Sequence, residues 1–378
     1  MQATERNQLP GLKENTMLLP RRTNNKLKMK KISCLIAGLL LTTLVSAESK
    51  EINILFIGNS FTYRHDLPGL VKTVFEEGHP DLKVNVAKIV YGGQDLFRHY
   101  EFYFSQSTVR RNTITIPEIE DYKRQIQSFL DMKAPPEFFQ AYFKKIGKKP
   151  GVSDTWEAVG SRLEAAMKTQ GWLEDAIKQN KRVKWDYLVL QSWQDVVAAP
   201  DAGYAEYAKK FAELARQEGA QVILYITAPY AQNSAPVKGP LDSAETKMQM
   251  QAIHHLAGEI KPYAVVPVAL GIEAIQKGGT DLTFRYHKDF HPNNTCAFLT
   301  ANMFYAAFFK ESTGGFKFNT ATETKLTADG KDPDGGNAKT VFDNPTKTLL
   351  QNAAYNAVME FQADMKKGKP VAAGGGQQ

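Results

Sequence analysis

The sequence predicts an α/β protein with a three-layer α/β/α architecture on a five-stranded parallel sheet. Two observations indicate this fold. Five short segments are continuously apolar, a pattern typical of strands that are covered on both faces. Helical patterns separate the later segments, and such an alternation favours parallel strands with helices on both sides. The composition, 43% apolar and 23% charged residues, is that of a globular protein with a sizeable core.

The first strand is predicted at residues 52–57, before a Gly-Asn turn. A helix should follow within ten residues of the strand. Asp66 is expected to cap this helix, Pro68 suits its first turn, and apolar residues recur at helical spacing until Gly78 ends it. The strand, turn and helix form the first unit of the predicted sheet.

The other four strands and the helices after them follow from the same patterns. Strands are predicted at 83–91, 186–191, 222–227 and 264–269, and helices at 204–218, 243–260, 295–309 and 345–365. Five such strands suit a flavodoxin-like fold. In such sheets ligands bind beyond the carboxyl ends of the strands, so the turns after the first three strands are where a site is expected.

The sequence predicts one enzyme domain at 48–367 with a helical insertion at about 97–180. About 90 residues separate the second and third strands, more than one crossover helix needs. Helical patterns at 117–131, 136–146 and 155–179 predict an inserted helical cap. The stretch 311–344 is rich in Gly, Thr and Asp, and 368–378 is expected to be a flexible tail.

Residues 1–47 are predicted to be an N-terminal extension and a signal peptide. Met29 and two lysines form a positive region, an apolar run at 32–44 follows, and small residues end at Ala47. The run is shorter than the roughly 18 residues that a membrane span needs, so no stable membrane anchor is expected. We expect a secreted or periplasmic protein cleaved near Ala47. The polar stretch 1–28 suggests the hypothesis that translation starts at Met29.

The net charge of +7 does not indicate nucleic-acid binding. Residues 1–47 hold eight Lys/Arg and two Glu, which leaves a net charge of +1 on the rest of the chain. A basic surface for nucleic acid is therefore not expected in the mature protein. Cys34 lies inside the predicted signal, so only Cys296 remains after cleavage and no intramolecular disulfide is expected.

Polar residues follow the first three predicted strands and precede the last core helix. Ser60 comes directly after the first strand, Gly93 ends the second, and residues 191–195 (Gln-Ser-Trp-Gln-Asp) end the third. His291 and Asp289 lie just before the last core helix. A hydroxyl, a backbone N–H group, an amide and an imidazole are the groups that an acyl-transfer site requires.

Three of these segments resemble conserved blocks of the SGNH (GDSL-like) hydrolases, carbohydrate-esterase-like members included. Gly58-Asn59-Ser60, Gly92-Gly93 and Asp289-Phe290-His291-Pro292 are similar to three blocks of that family. The resemblance implies Ser60 as nucleophile and His291 as base. It also implies that no metal or organic cofactor is needed, and a small ester substrate, with acetyl groups on carbohydrate as the leading guess.

The chain departs from the family pattern at two positions. Gln194 replaces the usual Asn, so the expected oxyanion hole consists of the Ser60 and Gly93 N–H groups with Gln194, and Gln191 is a second candidate for the amide donor. The family's Asp lies three residues before the His, where this chain has Lys288, and Asp289 is the nearest carboxylate. Either Asp289 or a backbone carbonyl can orient His291.

The remaining candidate residues concern substrate binding and two alternative functions. The candidate substrate-binding residues are Asn59, Gln191 and Trp193, and His99 is a candidate to line the pocket. Alternating side chains of an extended segment point the same way, so His287, Asp289 and His291 are candidate ligands of a metal-dependent hydrolase. Alternatively, the protein is an inactive carbohydrate-binding domain that uses Trp193, Trp172 and Trp156. Asp332 and Asp334 indicate a solvated turn rather than a calcium site, because the EF-hand spacing is missing.

Overall fold

The computed structural model describes residues 50–228, 244–289 and 291–367. The predicted signal peptide and the predicted C-terminal tail lie outside this part of the chain. Within it, no helix is long and apolar enough to cross a membrane.

Five parallel strands form the central sheet, in the spatial order β2-β1-β3-β4-β5. The strands are β1 (Lys50–Gly58), β2 (Leu82–Val90), β3 (Tyr187–Gln191), β4 (Gln221–Ile226) and β5 (Ala264–Pro267). All five lie within three residues of their predicted positions, and the predicted α/β fold with a five-stranded parallel sheet is confirmed. The carboxyl ends of β1, β2 and β3 are neighbours in this order.

Helices flank the sheet on both sides. Those before β3 are α1 (Ser60–Tyr63), α2 (Leu67–Gly78), α3 (Leu96–Glu101), α4 (Gln106–Val109), α5 (Ile116–Leu130), α6 (Glu137–Ile146) and α7 (Trp156–Lys178). Those after β3 are α8 (Gly203–Gln217), α9 (Ala244–Ile260), α10 (Val268–Lys277), α11 (Asn294–Phe309) and α12 (Asn344–Lys367).

Alternate residues of each strand enter two separate apolar cores, one on each face of the sheet. Leu55 and Ile57 of β1 belong to one core, together with residues of α3 to α9. Ile54 and Phe56 belong to the other, with α2, α10, α11 and most of the buried face of α12. This alternation is the two-residue period of a strand, and it explains why each strand reads as continuously apolar.

The helices between β2 and β3 form part of the layer on one face of the sheet. The three predicted helical segments correspond to α5, α6 and α7. Ile126, Phe139, Val159 and Leu163 from these helices share a core with Leu55 of β1. The sequence predicted a cap, whereas the structure shows helices that mainly cover the sheet. Residues 147–154, between α6 and α7, reach the carboxyl end of the sheet.

Two features differ from the sequence predictions. Asp66 directly precedes α2 but makes no capping hydrogen bond, because its φ is +48° and its side chain binds Lys88 at 2.7 Å. Between α11 and α12 the chain forms an antiparallel hairpin, β6 (Thr320–Thr322) and β7 (Lys339–Val341), in a stretch that showed no strand pattern. Its three-residue strands are too short to produce a detectable alternation.

Candidate active site

Ser60 is the first residue of α1, immediately beyond the end of β1. Asn59 caps this single helical turn by accepting a hydrogen bond from the Phe61 N–H at 3.1 Å. The Asn59 amide also donates to the carbonyl oxygen of Gln94 at 2.9 Å, which ties the turn after β1 to the turn after β2. Asn59 is buried and engaged on both sides of its amide. Asn59 therefore shapes the turn that presents Ser60, and its role in substrate binding stays a prediction.

Ser60 and His291 are in direct contact across 231 residues of sequence. The Ser60 hydroxyl donates to Nε2 of His291 at 2.9 Å. On the other side of the ring, Nδ1 donates to the backbone carbonyl oxygen of Asp289 at 3.0 Å, and Oδ2 of Asp289 lies 3.5 Å from the same nitrogen. An acceptor at Nδ1 places the proton there and leaves Nε2 free to take the serine proton.

The Asp289 carboxylate is held by a buried arginine. Oδ2 of Asp289 accepts from Nη1 of Arg64 at 2.7 Å, and Oδ1 accepts from the backbone N–H of His291 at 3.1 Å. Burial alone would raise the pKa of Asp289, but the hydrogen bonds from His291 and Arg64 outweigh it and hold this pKa well below its usual value. Asp289 is therefore an anion at neutral pH.

Arg64 is paired with a second carboxylate, Glu323, which follows the first strand of the hairpin. Nε and Nη2 of Arg64 donate to Glu323 at 2.5–3.0 Å, and both side chains are completely buried. Burial raises the pKa of Glu323, yet its hydrogen bonds with Arg64 dominate and the net pKa is lowered. The chain Glu323–Arg64–Asp289 thus ends at the residue that contacts His291.

The segment between β6 and β7 supports the loop that carries Asp289. The Asp334 carboxylate accepts from the backbone N–H groups of His287 and Lys288, both at 3.0 Å. Asp332 accepts from the backbone of Asp334 and Gly336, as expected for a turn. A stretch that looked like a solvated loop from the sequence therefore supports the histidine loop.

The backbone N–H groups of Ser60 and Gly93 are candidate oxyanion donors. Within the described residues, neither group donates to a protein acceptor. Gly93 adopts a φ of +72°, and a Cβ atom there would lie 2.7 Å from Cβ of Ser153. Glycine is required at this position both by the left-handed backbone and by the close approach of residue 153.

The two glutamines after β3 have different surroundings. Oε1 of Gln191 accepts from the Asn59 N–H at 2.7 Å and from the Thr62 hydroxyl at 2.9 Å, and its Nε2 donates to the carbonyl of Ser192. Gln191 is buried and holds the turn after β1 through these bonds, and its roles in oxyanion and substrate binding stay predictions. Gln194 is exposed and lines a cavity of about 250 Å³ with Trp193 and Phe61.

Phe61, the residue after Ser60, links this cavity to the Ser60–His291 pair, and neither Ser60 nor His291 is among its lining residues. The Phe61 ring lies 5.9 Å from the His291 ring and meets Trp193 edge-on at 5.1 Å, measured between ring centroids. Arg285, whose guanidinium carbon lies 5.1 Å from the Phe61 ring centroid, also lines the cavity. The cavity is small and partly aromatic, and Trp193 stays a candidate substrate contact.

His99 has a structural position instead of lining the cavity. Its Nε2 donates to the carbonyl oxygen of Gly58 at 2.8 Å, and its Nδ1 lies 2.8 Å from the Ser105 hydroxyl. The ring is completely buried, and burial lowers its pKa to about 4. A neutral His99 therefore fixes the end of β1, two residues before Ser60.

The geometry gives no support to a metal centre built from His287, Asp289 and His291. In residues 50–228, 244–289 and 291–367, no group of three or more potential ligands is arranged to hold a metal ion. The Asp289 carboxylate contacts Arg64, and the His291 ring contacts Ser60.

The three tryptophans of the carbohydrate-binding alternative do not form one platform. Trp156 packs edge-on against Phe102 and Phe139 in the core. Trp172 is 71% exposed on α7 and lines a different groove from Trp193.

No protein-family model matches the chain, and no curated protein matches it either. Among solved structures, the chain is similar to a DUF4886 family protein from Bacteroides uniformis, with 13% identity and a TM-score of 0.42 over 82% of this chain and 95% of the other. It is also similar to a protein from Slackia heliotrinireducens provisionally described as an SGNH hydrolase (16% identity, TM-score 0.34, 67% and 96%). A third similar structure is a gut microbial diltiazem-metabolizing enzyme, with 11% identity and a TM-score of 0.34 over 69% of this chain and 47% of the other. Similarity at this level does not extend to a reaction or a substrate.

Sequence reasoning missed the residues that surround the Ser60–His291 pair. Arg64 and Glu323 are 259 positions apart, and Glu323 lies in a stretch with no recognisable motif. Tyr142 of α6, which contacts Asp195, was read only as part of a helix. The sequence signal for this group was Arg64 itself, a charged residue four positions after Ser60. The sequence alone cannot distinguish such a residue from a surface arginine.

Proposed function

We propose that this protein is a serine esterase that acts on small acyl esters, with Ser60 as nucleophile and His291 as base. The 2.9 Å contact between the Ser60 hydroxyl and Nε2 of His291 carries the proposal. It is supported by the Asp289 carbonyl, which orients the opposite ring nitrogen. A nucleophile bonded to a base that a third group orients is the general arrangement of nucleophilic catalysis.

In this mechanism the Ser60 oxygen attacks the ester carbonyl carbon while its proton passes to Nε2 of His291. The carbonyl oxygen becomes an oxyanion, and the N–H groups of Ser60 and Gly93, with the Gln194 amide, stabilise its charge. The C–O bond to the alcohol then breaks, and His291 returns the proton to the leaving alkoxide. Water activated by His291 attacks the acyl-enzyme and releases the acid and free Ser60.

The cavity beside Ser60 favours a short acyl chain. Its volume of about 250 Å³ is below the range of roughly 300–1,000 Å³ typical of sites for drug-sized ligands. Phe61 and Trp193 offer an apolar surface for a methyl group, and an acetyl ester fits this size. The alcohol would lie on the open side of the pocket, and an acetylated carbohydrate is the substrate that we propose first.

The esterase proposal is tested with p-nitrophenyl acetate, butyrate and octanoate, and with an acetylated polysaccharide. We expect the acetate to be hydrolysed fastest and Ser60→Ala to lower turnover by about 10⁶. His291→Ala should lose activity comparably. Ser161→Ala is the matched control, because Ser161 is an exposed hydroxyl that bonds only locally on α7. Circular dichroism checks the fold of each variant.

A fluorophosphonate probe followed by mass spectrometry of the peptides tests the nucleophile directly. We expect the label on Ser60 in the wild-type protein and none in Ser60→Ala. Normal turnover by a folded Ser60→Ala or His291→Ala protein contradicts the serine mechanism. Loss of activity with a chelator and its return with zinc would instead support the metal-dependent alternative.

We further propose that the protein is exported and that its mature form begins near Glu48. The proposal rests on the charged, apolar and small-residue regions before Ala47 in the sequence. Mass spectrometry of the protein from the cell exterior or periplasm should show an N-terminus near residue 48. Extracellular protein that retains residues 1–47 contradicts it.

A further inference from the structure

Two buried aspartates contact the same tyrosine hydroxyl near the candidate active site. The Tyr142 oxygen of α6 lies 3.0 Å from Oδ2 of Asp195 and 3.3 Å from Oδ2 of Asp95. All three residues are at most 4% exposed. Asp195 follows Gln194 directly, and Asp95 is two residues after Gly93, so the contact joins the two loops that carry candidate oxyanion donors.

Hydrogen-bond counting favours another proton in this cluster. A phenol has one O–H, so it can donate fully to only one of the two carboxylates. The second contact becomes a full hydrogen bond when the other carboxyl is protonated and donates to the phenol oxygen. Asp95 has an ionic partner, Nη1 of Arg98 at 2.7 Å, and it also accepts from the backbone N–H of Arg98. Asp195 is therefore the carboxyl that holds the proton.

The charges around Asp195 point the same way. Arg98, the buried cation of the cluster, is shared between Asp95 and Asp154, with Nη2 at 2.8 Å from Asp154. Lys148, from the segment after α6, has only a weaker attraction for Asp195. From α8, the Tyr204 N–H donates to the Asp195 backbone carbonyl, and the Tyr204 hydroxyl donates to Leu190. Because Asp95 and Asp154 already share Arg98, a charged Asp195 beside Asp95 would add a second, unpaired negative charge at a buried position.

We propose that Asp195 carries a proton below neutral pH and that the chain Asp195–Tyr142–Asp95 is a proton-dependent clamp, which positions Trp193 and Gln194 relative to Gly93. The protonated carboxyl donates to Tyr142, which donates to Asp95, while Oδ1 of Asp195 accepts from the Trp193 N–H at 3.3 Å. Asp195 and Tyr142 are positioning residues, because they act on the oxyanion site through Trp193 and Gln194. The effect on turnover rests on the proposed esterase function, whereas the protonation of Asp195 is independent of it.

Loss of the Asp195 proton should lower both the stability of the protein and its turnover. Burial first, and repulsion from Asp95 second, raise the pKa of Asp195 to about 7. Since an unfolded Asp has a pKa of about 3.9, the folded state binds the extra proton between these values. Stability therefore falls as pH rises from about 4 to about 7 and is flat above that. Above neutrality, two carboxylates face one phenol and the clamp opens.

Infrared difference spectra between pH 6 and pH 8 test the proton without any assay of activity. We expect the wild-type protein to lose a carboxylic acid C=O band on deprotonation, and Asp195→Asn to lack that band. Asp201→Asn is the matched control, since Asp201 is exposed and paired with Lys209. An unchanged band in Asp195→Asn would overturn the proposal whether or not the protein is an esterase. Urea unfolding between pH 4 and pH 8 should show a smaller pH dependence in Asp195→Asn.

The pH profile of ester hydrolysis tests the clamp. Asn is neutral at every pH and can make the same bonds as the protonated acid, so Asp195→Asn should keep turnover within about threefold at pH 6 and lose the decline above neutrality. Tyr142→Phe keeps the stacking on Phe97 but should lower kcat at every pH with KM unchanged. A wild-type alkaline decline that persists in Asp195→Asn contradicts the clamp. If Ser60→Ala is fully active, only the esterase proposal fails. The infrared result still shows whether Asp195 is protonated.

Discussion

The backbone carbonyl oxygen of Asp289 lies 3.0 Å from Nδ1 of His291, closer than the carboxylate of the same residue at 3.5 Å. The carboxylate is bonded instead to Arg64 at 2.7 Å, which neutralises much of its charge. The sequence left open whether the Asp289 carboxylate or a backbone carbonyl orients His291, and both groups belong to Asp289. The carbonyl has the better geometry for the hydrogen bond, and the carboxylate fixes the loop.

Asp289→Asn is expected to lower turnover by roughly tenfold. In a serine protease, loss of the carboxylate that orients the histidine costs about 10⁴, because the imidazole takes the wrong tautomer. Here the Asp289 carbonyl remains as the acceptor for Nδ1, so most of the orientation should persist. Turnover of p-nitrophenyl acetate at saturating substrate measures the effect, with circular dichroism as the folding control. A loss near 10⁴ would show that the carboxylate is the principal orienting group.

Glu323→Gln is expected to destabilise the protein by about 1–3 kcal/mol, the usual cost of leaving buried hydrogen-bonding groups unsatisfied. Arg64 would keep Asp289 but lose the carboxylate that binds it through two nitrogens. Urea unfolding measures the change. Glu51→Gln removes the exposed Lys83 pair and should have little effect. Equal stability of the two variants would show that the buried pair contributes nothing beyond a surface pair.

The acid stability of the protein should depend on the same glutamate. The folded-state pKa of Glu323 is lowered, so its contribution is fully present above the unfolded value of about 4.3 and is lost as pH falls below it. Wild-type stability should therefore decline as pH falls below about 4.3, and the decline should be weaker in Glu323→Gln. Urea unfolding at a series of acidic pH values checks this, and parallel slopes for the two proteins would contradict it.

Gly93→Ala is expected to lower kcat by about 10²–10³, comparable to the loss of one oxyanion donor. The new Cβ would lie 2.7 Å from Cβ of Ser153, and the φ of +72° disfavours alanine. Adding Ser153→Gly removes the clash but not the backbone strain, so the double variant should recover part of the activity. Equal activity of Gly93→Ala and the wild type would exclude Gly93 from the oxyanion site.

Gln194→Ala should also lower kcat by about 10²–10³ with the fold intact, because Gln194 is an exposed side chain at the cavity. Gln191→Ala should instead reduce stability, since the Asn59 N–H and the Thr62 hydroxyl lose a buried acceptor. Unfolding curves and kcat measured on both variants separate the roles. Full activity of Gln194→Ala would leave the Ser60 and Gly93 N–H groups as the proposed donors.

The five strands and the polar turns that follow them could be predicted from local sequence patterns. Both faces of the sheet are covered, so each strand is a continuous run of apolar residues. The positions of these runs located β1 to β5. Because carboxyl ends of parallel strands share one edge, Ser60, Gly93 and Gln194 could be assigned to one region without coordinates. The motif also singled out Asn59, although as a candidate substrate-binding residue and not as the cap of the turn that the structure shows.

The contacts between side chains, in contrast, depend on how distant segments pack together. Gln191 and Gln194 are three residues apart and chemically identical, yet one is buried against Asn59 and the other lines the cavity. The Arg64–Glu323 pair and the two aspartates on Tyr142 join segments far apart in sequence, and no local pattern encodes such contacts. The physical reason is that burial and charge depend on every chain segment packed around a group, whereas helix and strand patterns depend on neighbours in sequence.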